Sequence, residues 1–271
     1  MSAARAASER PFVAREDRDG IAVVTLQRPE SRNALSDGMM AALQAELDLI
    51  RADRSVRVAV IAAEGPGFCA GHDLKEMQAA RAGPDRGRAH FERTFAACTR
   101  LMSSIVRLPQ PVIAEVRGVA AAAGCQLVAS CDLAVASREA RFSTPGVAIG
   151  LFCSTPMVAL SRNLARKAAI EMLLTGDMVG ADEAKALGLV NRVAAPGELR
   201  EATLAFARRI AGRSTLVVKI GKEAFYRQAE MSLDEAYRYT SQVMVENMLA
   251  RDAEEGIGAF IEKREPHWEG R

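Results

Sequence analysis

The sequence predicts an α/β core that gives way to a helical C-terminal third, and three observations carry that prediction. Short apolar runs stop abruptly at turn residues; segments with apolar positions at helical spacing stand between them; from Pro156 onward the segments lengthen and keep the helical period. In order, a strand-like pattern begins near Phe12. Ile21–Leu26 (IAVVTL) reads as a buried strand closed by Arg28-Pro29, and Val58–Ala63 (VAVIAA) as another closed by Glu64-Gly65-Pro66-Gly67. Between them, Ser36-Asp37-Gly38 precedes a helix over residues 39–54. A second round follows: a helix over 86–106, a strand over 111–116, a helix over 123–130 and a strand over 133–136. Beyond Pro156 the helices are punctuated at Gly176, Gly188, Pro196-Gly197, Gly212 and Ser232, so the rest of the chain reads as almost entirely helical. The expected division is a core over residues 1–200 and a helical region over 201–271.

The 271 residues are 49% hydrophobic, enough for a sizeable core in one large domain with a helical appendage. Lys and Arg number 36 against 34 Asp and Glu, a net charge of +2. No global field draws such a chain to nucleic acid or an anionic membrane, so an anionic ligand must be met by local groups. The five cysteines (Cys69, Cys98, Cys125, Cys131, Cys153) form no CxxC pair, which argues against a disulfide framework and against structural zinc; no metal site is expected. A reducing compartment fits, the cytoplasm, or the mitochondrial matrix if the source is eukaryotic. The opening MSAARAASER lacks the apolar stretch of a secretory signal, and a trimmed mitochondrial presequence is the alternative reading. No apolar run reaches the roughly 18 residues of a membrane span.

Two turns rich in glycine and alanine carry the chemistry. In Gly67-Phe68-Cys69-Ala70-Gly71-His72-Asp73 a strand runs through small residues into a helix start at Asp73, and Arg117-Gly118-Val119-Ala120-Ala121-Ala122-Ala123-Gly124 does the same after the next strand. Small residues there let backbone N–H groups approach a ligand, and the helix N-terminus adds partial positive charge. One such junction alone more often serves packing. Two that face one another can hold an oxyanion between two amides.

With these motifs in order the chain resembles the crotonase (enoyl-CoA hydratase/isomerase) superfamily from about Phe12 to Trp268. Arg28-Pro29-Glu30-Ser31-Arg32-Asn33-Ala34-Leu35-Ser36 is similar to the family's first coenzyme A loop. Ala70-Gly71-His72-Asp73-Leu74-Lys75-Glu76-Met77 is similar to its first oxyanion segment. The family pattern Asn-Gly-x-Ala-x-Gly-Gly-Gly corresponds to residues 117–124, Phe142-Ser143-Thr144-Pro145 to the strand entering the second catalytic segment, and residues 255–264 to the terminal helix. The resemblance implies a spiral of ββα repeats with a helical C-terminal trimerisation region, assembling as a trimer or a dimer of trimers. It implies an acyl-CoA or enoyl-CoA thioester as the ligand, with coenzyme A part of the substrate and no separate cofactor. The thioester oxygen would be held by the amides of His72 and Ala123. The nucleotide end would lie along Arg28, Ala34, Ala70, Asp73, Leu74 and Lys75, and Phe260 and Lys263 of a neighbouring subunit would close over the phosphates.

Two departures accompany the matches. Where family hydratases carry two glutamates, this chain has Gln126 and Gly146. Hydration needs one group to activate water and another to deliver a proton, each contributing roughly 10²–10⁴-fold. Gln126 cannot titrate, and Gly146 has no side chain. Two readings follow: an enzyme acting through a thioester enolate with unconventional proton transfer, or a catalytically weak acyl-CoA-binding protein on the same scaffold. His72 is the remaining candidate base, with Glu76 one turn beyond to orient it or merely to be solvated. Cys153, Ser154 and Thr155 form a helix cap, or present Cys153 or Ser154 to the acyl group. His90, His267 and the other cysteines read as packing or surface residues.

Overall fold

The computed structural model describes residues 10–271; most of the opening segment weighed above as a presequence lies outside that range. β1 (Val13–Arg18) and β2 (Ile21–Leu26) form an antiparallel hairpin. Asp19 and Gly20 turn it with φ of 53° and 75°. From β2 the sheet runs parallel through β3 (Val58–Ala63), β4 (Val112–Val116), β6 (Leu133–Ser137) and β9 (Arg192–Ala194). A smaller sheet joins β5 (Val119–Ala121), β7 (Arg141–Ser143) and β8 (Val179–Gly180) in that order.

Successive residues of a strand face opposite sides, and β3 shows both sides buried. Ala59 and Ile61 join the larger core, while Val58, Val60 and Ala62 join the smaller one. On the first side packs α1 (Asp37–Ala52), which buries Met39, Met40, Leu43, Leu47 and Ile50 at helical spacing. Ser36 caps it by accepting the Met39 amide, so the helix begins two residues before the predicted 39. Beyond the short α2 (Leu74–Ala80), α3 (Arg88–Val106) packs against α1 with Cys98, Leu101, Met102 and Ile105 inward. The helix predicted over 123–130 is present as α4 (Ala123–Ser130), buried at every position.

The stretch after Pro156 differs from expectation. Helices α5 (Ser154–Asn163), α6 (Arg166–Thr175) and α7 (Ala181–Leu187) are there, but β8 and β9 interrupt them, and β9 is the sixth strand of the main sheet. The expected boundary at residue 200 also falls inside α8 (Leu199–Ala211). That helix lays Leu199, Ala207 and Ala211 on the second side of the sheet, against Val58, Val60 and Ile113, so it belongs to the core. The helices that stand off the sheet are α9 (Thr215–Gln228), α10 (Leu233–Met248) and α11 (Arg251–Glu262).

A buried polar clasp ties α9 to the core. Lys222 Nζ donates to Asp132 Oδ2 at 2.6 Å and to the carbonyls of Ile105 and Gln110 at 3.0 and 3.1 Å. Asp132 also accepts from Tyr226 Oη at 2.9 Å and from the Val112 amide at 2.6 Å. The tail folds back on buried Asp252, which accepts from Ser214 Oγ and from the amides of Glu269 and Gly270, while Trp268 Nε1 donates to the Gly212 carbonyl at 3.1 Å. Among the described residues no helix is long and apolar enough to cross a membrane, and no cluster of three His, Cys, Asp or Glu side chains could hold a metal ion.

Candidate active site

The turns that leave β3 and β4 are laced together by their backbones. The amides of Phe68 and Cys69 donate to the Val119 carbonyl at 2.9 and 3.1 Å, and the Ala121 amide donates back to the Cys69 carbonyl at 2.9 Å. Two glycines make the approach possible. A Cβ on Gly118, at φ 62°, would sit 1.8 Å from the Pro66 carbonyl oxygen, and one on Gly124 would sit 2.1 Å from that of Cys69. No other residue type fits at either place.

This lacing brings Gly71-His72 against Ala122-Ala123. The position of a Cβ on Gly71 would be 3.2 Å from the Ala123 nitrogen. Among the described residues, neither the His72 amide nor the Ala123 amide donates to any protein acceptor. Ala123 opens α4, where the first turn's N–H groups have no intrahelical partner and the helix dipole is positive. The residue before His72 is thus set against the start of α4, and the amides of both turns are unused.

The His72 side chain does something different. Both ring nitrogens are sealed from solvent without a hydrogen-bond partner, and the ring meets Phe95 edge-on with centroids 5.4 Å apart. Burial lowers its pKa, opposed by the Leu35 carbonyl and Asp37, so the ring stays neutral. The His72 amide is left without a protein acceptor, and its imidazole is closed off. Glu76 does not orient it: Oε2 accepts the Asp37 amide at 3.0 Å, at the first turn of α1.

The first loop is held by a residue that the sequence reading passed over. Asn33, fully buried at φ 52°, accepts the Arg28 amide at 2.8 Å and donates to the carbonyls of Glu64 and Gly67 at 2.9 and 3.0 Å. The available signal was its type, since asparagine tolerates the left-handed region and bonds nearby backbone. Arg28 points elsewhere: its guanidinium donates to the carbonyls of Pro11 (2.8 Å), Gln27 (3.0 Å) and Arg10 and stacks 4.3 Å from the Phe12 ring centroid. It anchors the N-terminal segment. Ala34 is buried, while the Ala70 amide donates to Arg32 and keeps the loop beside the first turn. Asp73 caps α2 by accepting the Lys75 amide at 2.8 Å, which leaves Leu74 and Lys75 exposed next to the His72 amide. Phe260 and Lys263 are not brought to this place within one chain; α11 packs on α10 and on the chain's own tail.

Gln126 lies on α4, 5% exposed, with its amide donating to the Ala122 carbonyl and Cys98 Sγ 3.9 Å from Oε1. Gly146 lies in a 3-10 turn over Pro145–Ile149. A Cβ there would be 2.9 Å from Cys153 Sγ and 3.0 Å from the Leu151 carbonyl oxygen, so the space a carboxylate side chain would cross is filled. Cys153 is the N-cap of α5 but makes no capping bond, and Ser154 Oγ points back to the Phe152 carbonyl, which replaces the expected side-chain cap. Burial raises the Cys153 thiol pKa, opposed by the Gly146 amide, and pushes Cys69 and Cys125 up to about 12 and Cys98 to about 11. Thiols so protonated are poor nucleophiles at neutral pH.

Two strand-to-helix turns meet here, each with a backbone amide that no protein group uses. Residues 16–271 match the enoyl-CoA hydratase/isomerase family, and the chain belongs to it, with the crotonase fold. It is 49% identical over 264 residues to human enoyl-CoA hydratase domain-containing protein 3, mitochondrial, covering 97% of this chain and 85% of that one. The crystal structure of that human protein superposes with a TM-score of 0.90 at 47% identity, covering 96% of this chain and all (100%) of the other. An enoyl-CoA hydratase of Mycobacterium smegmatis superposes with a TM-score of 0.91 at 52% identity, covering 96% and 99%.

Proposed function

We propose that the protein binds an acyl-CoA or enoyl-CoA thioester, polarises its carbonyl between the amides of His72 and Ala123, and acts through the enolate that this pair stabilises. The observation behind it is the meeting of two donors that no protein group uses. One such donor is worth about 10²–10³-fold where negative charge develops. Coenzyme A enters as part of the substrate. Its nucleotide end runs along the backbone of Arg28, Ala34, Ala70, Asp73 and Leu74, with Lys75 as the exposed charge. Phe260 and Lys263 arrive from a neighbouring subunit of a trimer or a dimer of trimers, a reading supported by the exposure of both residues in the single chain.

A second reading, an acyl-CoA-binding protein with feeble turnover, is favoured by the absence of a titratable group at either carboxylate position and by the sealed His72 ring. Loss of enoyl-thioester absorbance with saturating crotonyl-CoA separates the two. Hydration is expected to be slower than with two carboxylates in place by about 10³-fold or more, while calorimetry still shows crotonyl-CoA binding. Turnover at tens per second or above, on the order of ordinary enzymes, would overturn the assignment of a disabled hydratase site. Because a side chain at residue 146 would press on Cys153 and the Leu151 carbonyl, Gln126→Glu alone is the variant expected to raise the rate.

A further inference from the structure

We propose that Ala122 is a positioning residue: its constrained backbone, seated against Gly71, aims the Ala123 amide at the thioester oxygen. This rests on the functional reading above. Ala122 has φ 49° and ψ −118°, the first central position of a type II′ turn, which an L-residue takes at a cost because its Cβ crowds the backbone. The pattern that this stretch resembles would place glycine here, whereas this chain keeps a methyl. The ψ angle of Ala122 orients the peptide that joins it to Ala123, and therefore sets the direction of the Ala123 N–H.

Four neighbours hold that angle. The Ala121 amide donates to Cys69 at 2.9 Å, the Ala122 amide to Ser143 at 3.0 Å, and the Ala122 carbonyl accepts from Gln126 at 3.0 Å. The fourth is Gly71, at φ 94°, where an added Cβ would lie 2.9 Å from the Ala122 methyl. There is room for one methyl between the turns and not for two. Strained residues other than glycine persist where the surroundings over-determine them, and they gather at sites where a donor must be aimed. Glycine at 122 would restore backbone freedom and spread the direction of the N–H.

The test uses the full chain as wild type, Ala122→Gly and Ala122→Ser. The probe is butyryl-CoA labelled with ¹³C at the thioester carbonyl, which has no double bond to hydrate, read by isotope-edited infrared difference. Binding to wild type is expected to move the carbonyl band to lower frequency, and Ala122→Ser, which keeps the Cβ, to preserve that shift. Ala122→Gly is expected to lose about half of the shift or more while binding within about threefold of wild type. It is also expected to melt at or above the wild-type temperature, since the strain is relieved. A packing role predicts the reverse, a lower melting temperature with an unmoved band. A full band shift in Ala122→Gly, or loss of the shift only together with all binding, overturns the inference and leaves the functional reading standing. A wild type that binds no butyryl-CoA overturns both.

Discussion

The buried His72 ring makes stability depend on pH. Burial first, against the Leu35 carbonyl and Asp37, holds its folded pKa below the ordinary 6.5. Between those two values the unfolded chain carries the extra proton, so stability rises with pH there. This contribution is complete above about 6.5 and is lost as pH falls toward the folded value. His72→Phe keeps the amide, and its urea midpoint is expected to drop less between pH 7.5 and 5.5 than that of wild type. An equal drop in both would place the imidazole in contact with solvent. The small-residue turns that build the amide pair were legible in the sequence, because only glycine or alanine lets two backbones meet. The aim of the His72 ring was not, since Phe95 on another helix decides it. Nor was the crowding at Gly146, which Cys153 imposes from the next turn of chain.

At the scale of elements, the clasp on α9 predicts an asymmetry. Lys222→Met leaves Asp132 buried without its charged partner, and is expected to destabilise by about 3–5 kcal/mol. Tyr226→Phe removes a single hydrogen bond to the same carboxylate, about 1 kcal/mol. Urea unfolding measures both, and equal losses would show that the lysine carries no special weight. Burial lowers the Lys222 pKa and raises that of Asp132, and each opposes the other's shift by pairing. Long apolar runs and helices with a clean period were readable, as at Ile21–Leu26 and Asp37–Ala52. Val179–Gly180 and Arg192–Ala194 were not, being two and three residues long, too short to show alternation. The placement of α8 was hidden for another reason: its inward seam of Thr203, Ala207 and Ala211 is as compatible with an appendage as with a sheet-covering helix.

In the whole molecule the helices beyond the core leave Phe225, Tyr237, Met244, Leu249 and Ile261 open, and Phe260 is 85% exposed. Patches of this kind mark contact surfaces. Sedimentation at micromolar concentration is expected to show trimers or hexamers, with Phe260→Glu shifting the protein toward monomer; a stable wild-type monomer would remove that assembly. Lys263→Ala is expected to weaken coenzyme A binding by about 1 kcal/mol in calorimetry, and unchanged affinity would take Lys263 out of the site. The five cysteines are free and buried. An alkylating reagent can reach each sulfur only when the fold around it opens, so modification rates become five local clocks. Cys153, at the start of α5, is 8% exposed, the most of the five, and it should be tagged first. Cys69, Cys98 and Cys125, with no exposed surface, should wait for the core itself to part, and read by mass spectrometry the order of tagging would chart how this molecule comes undone.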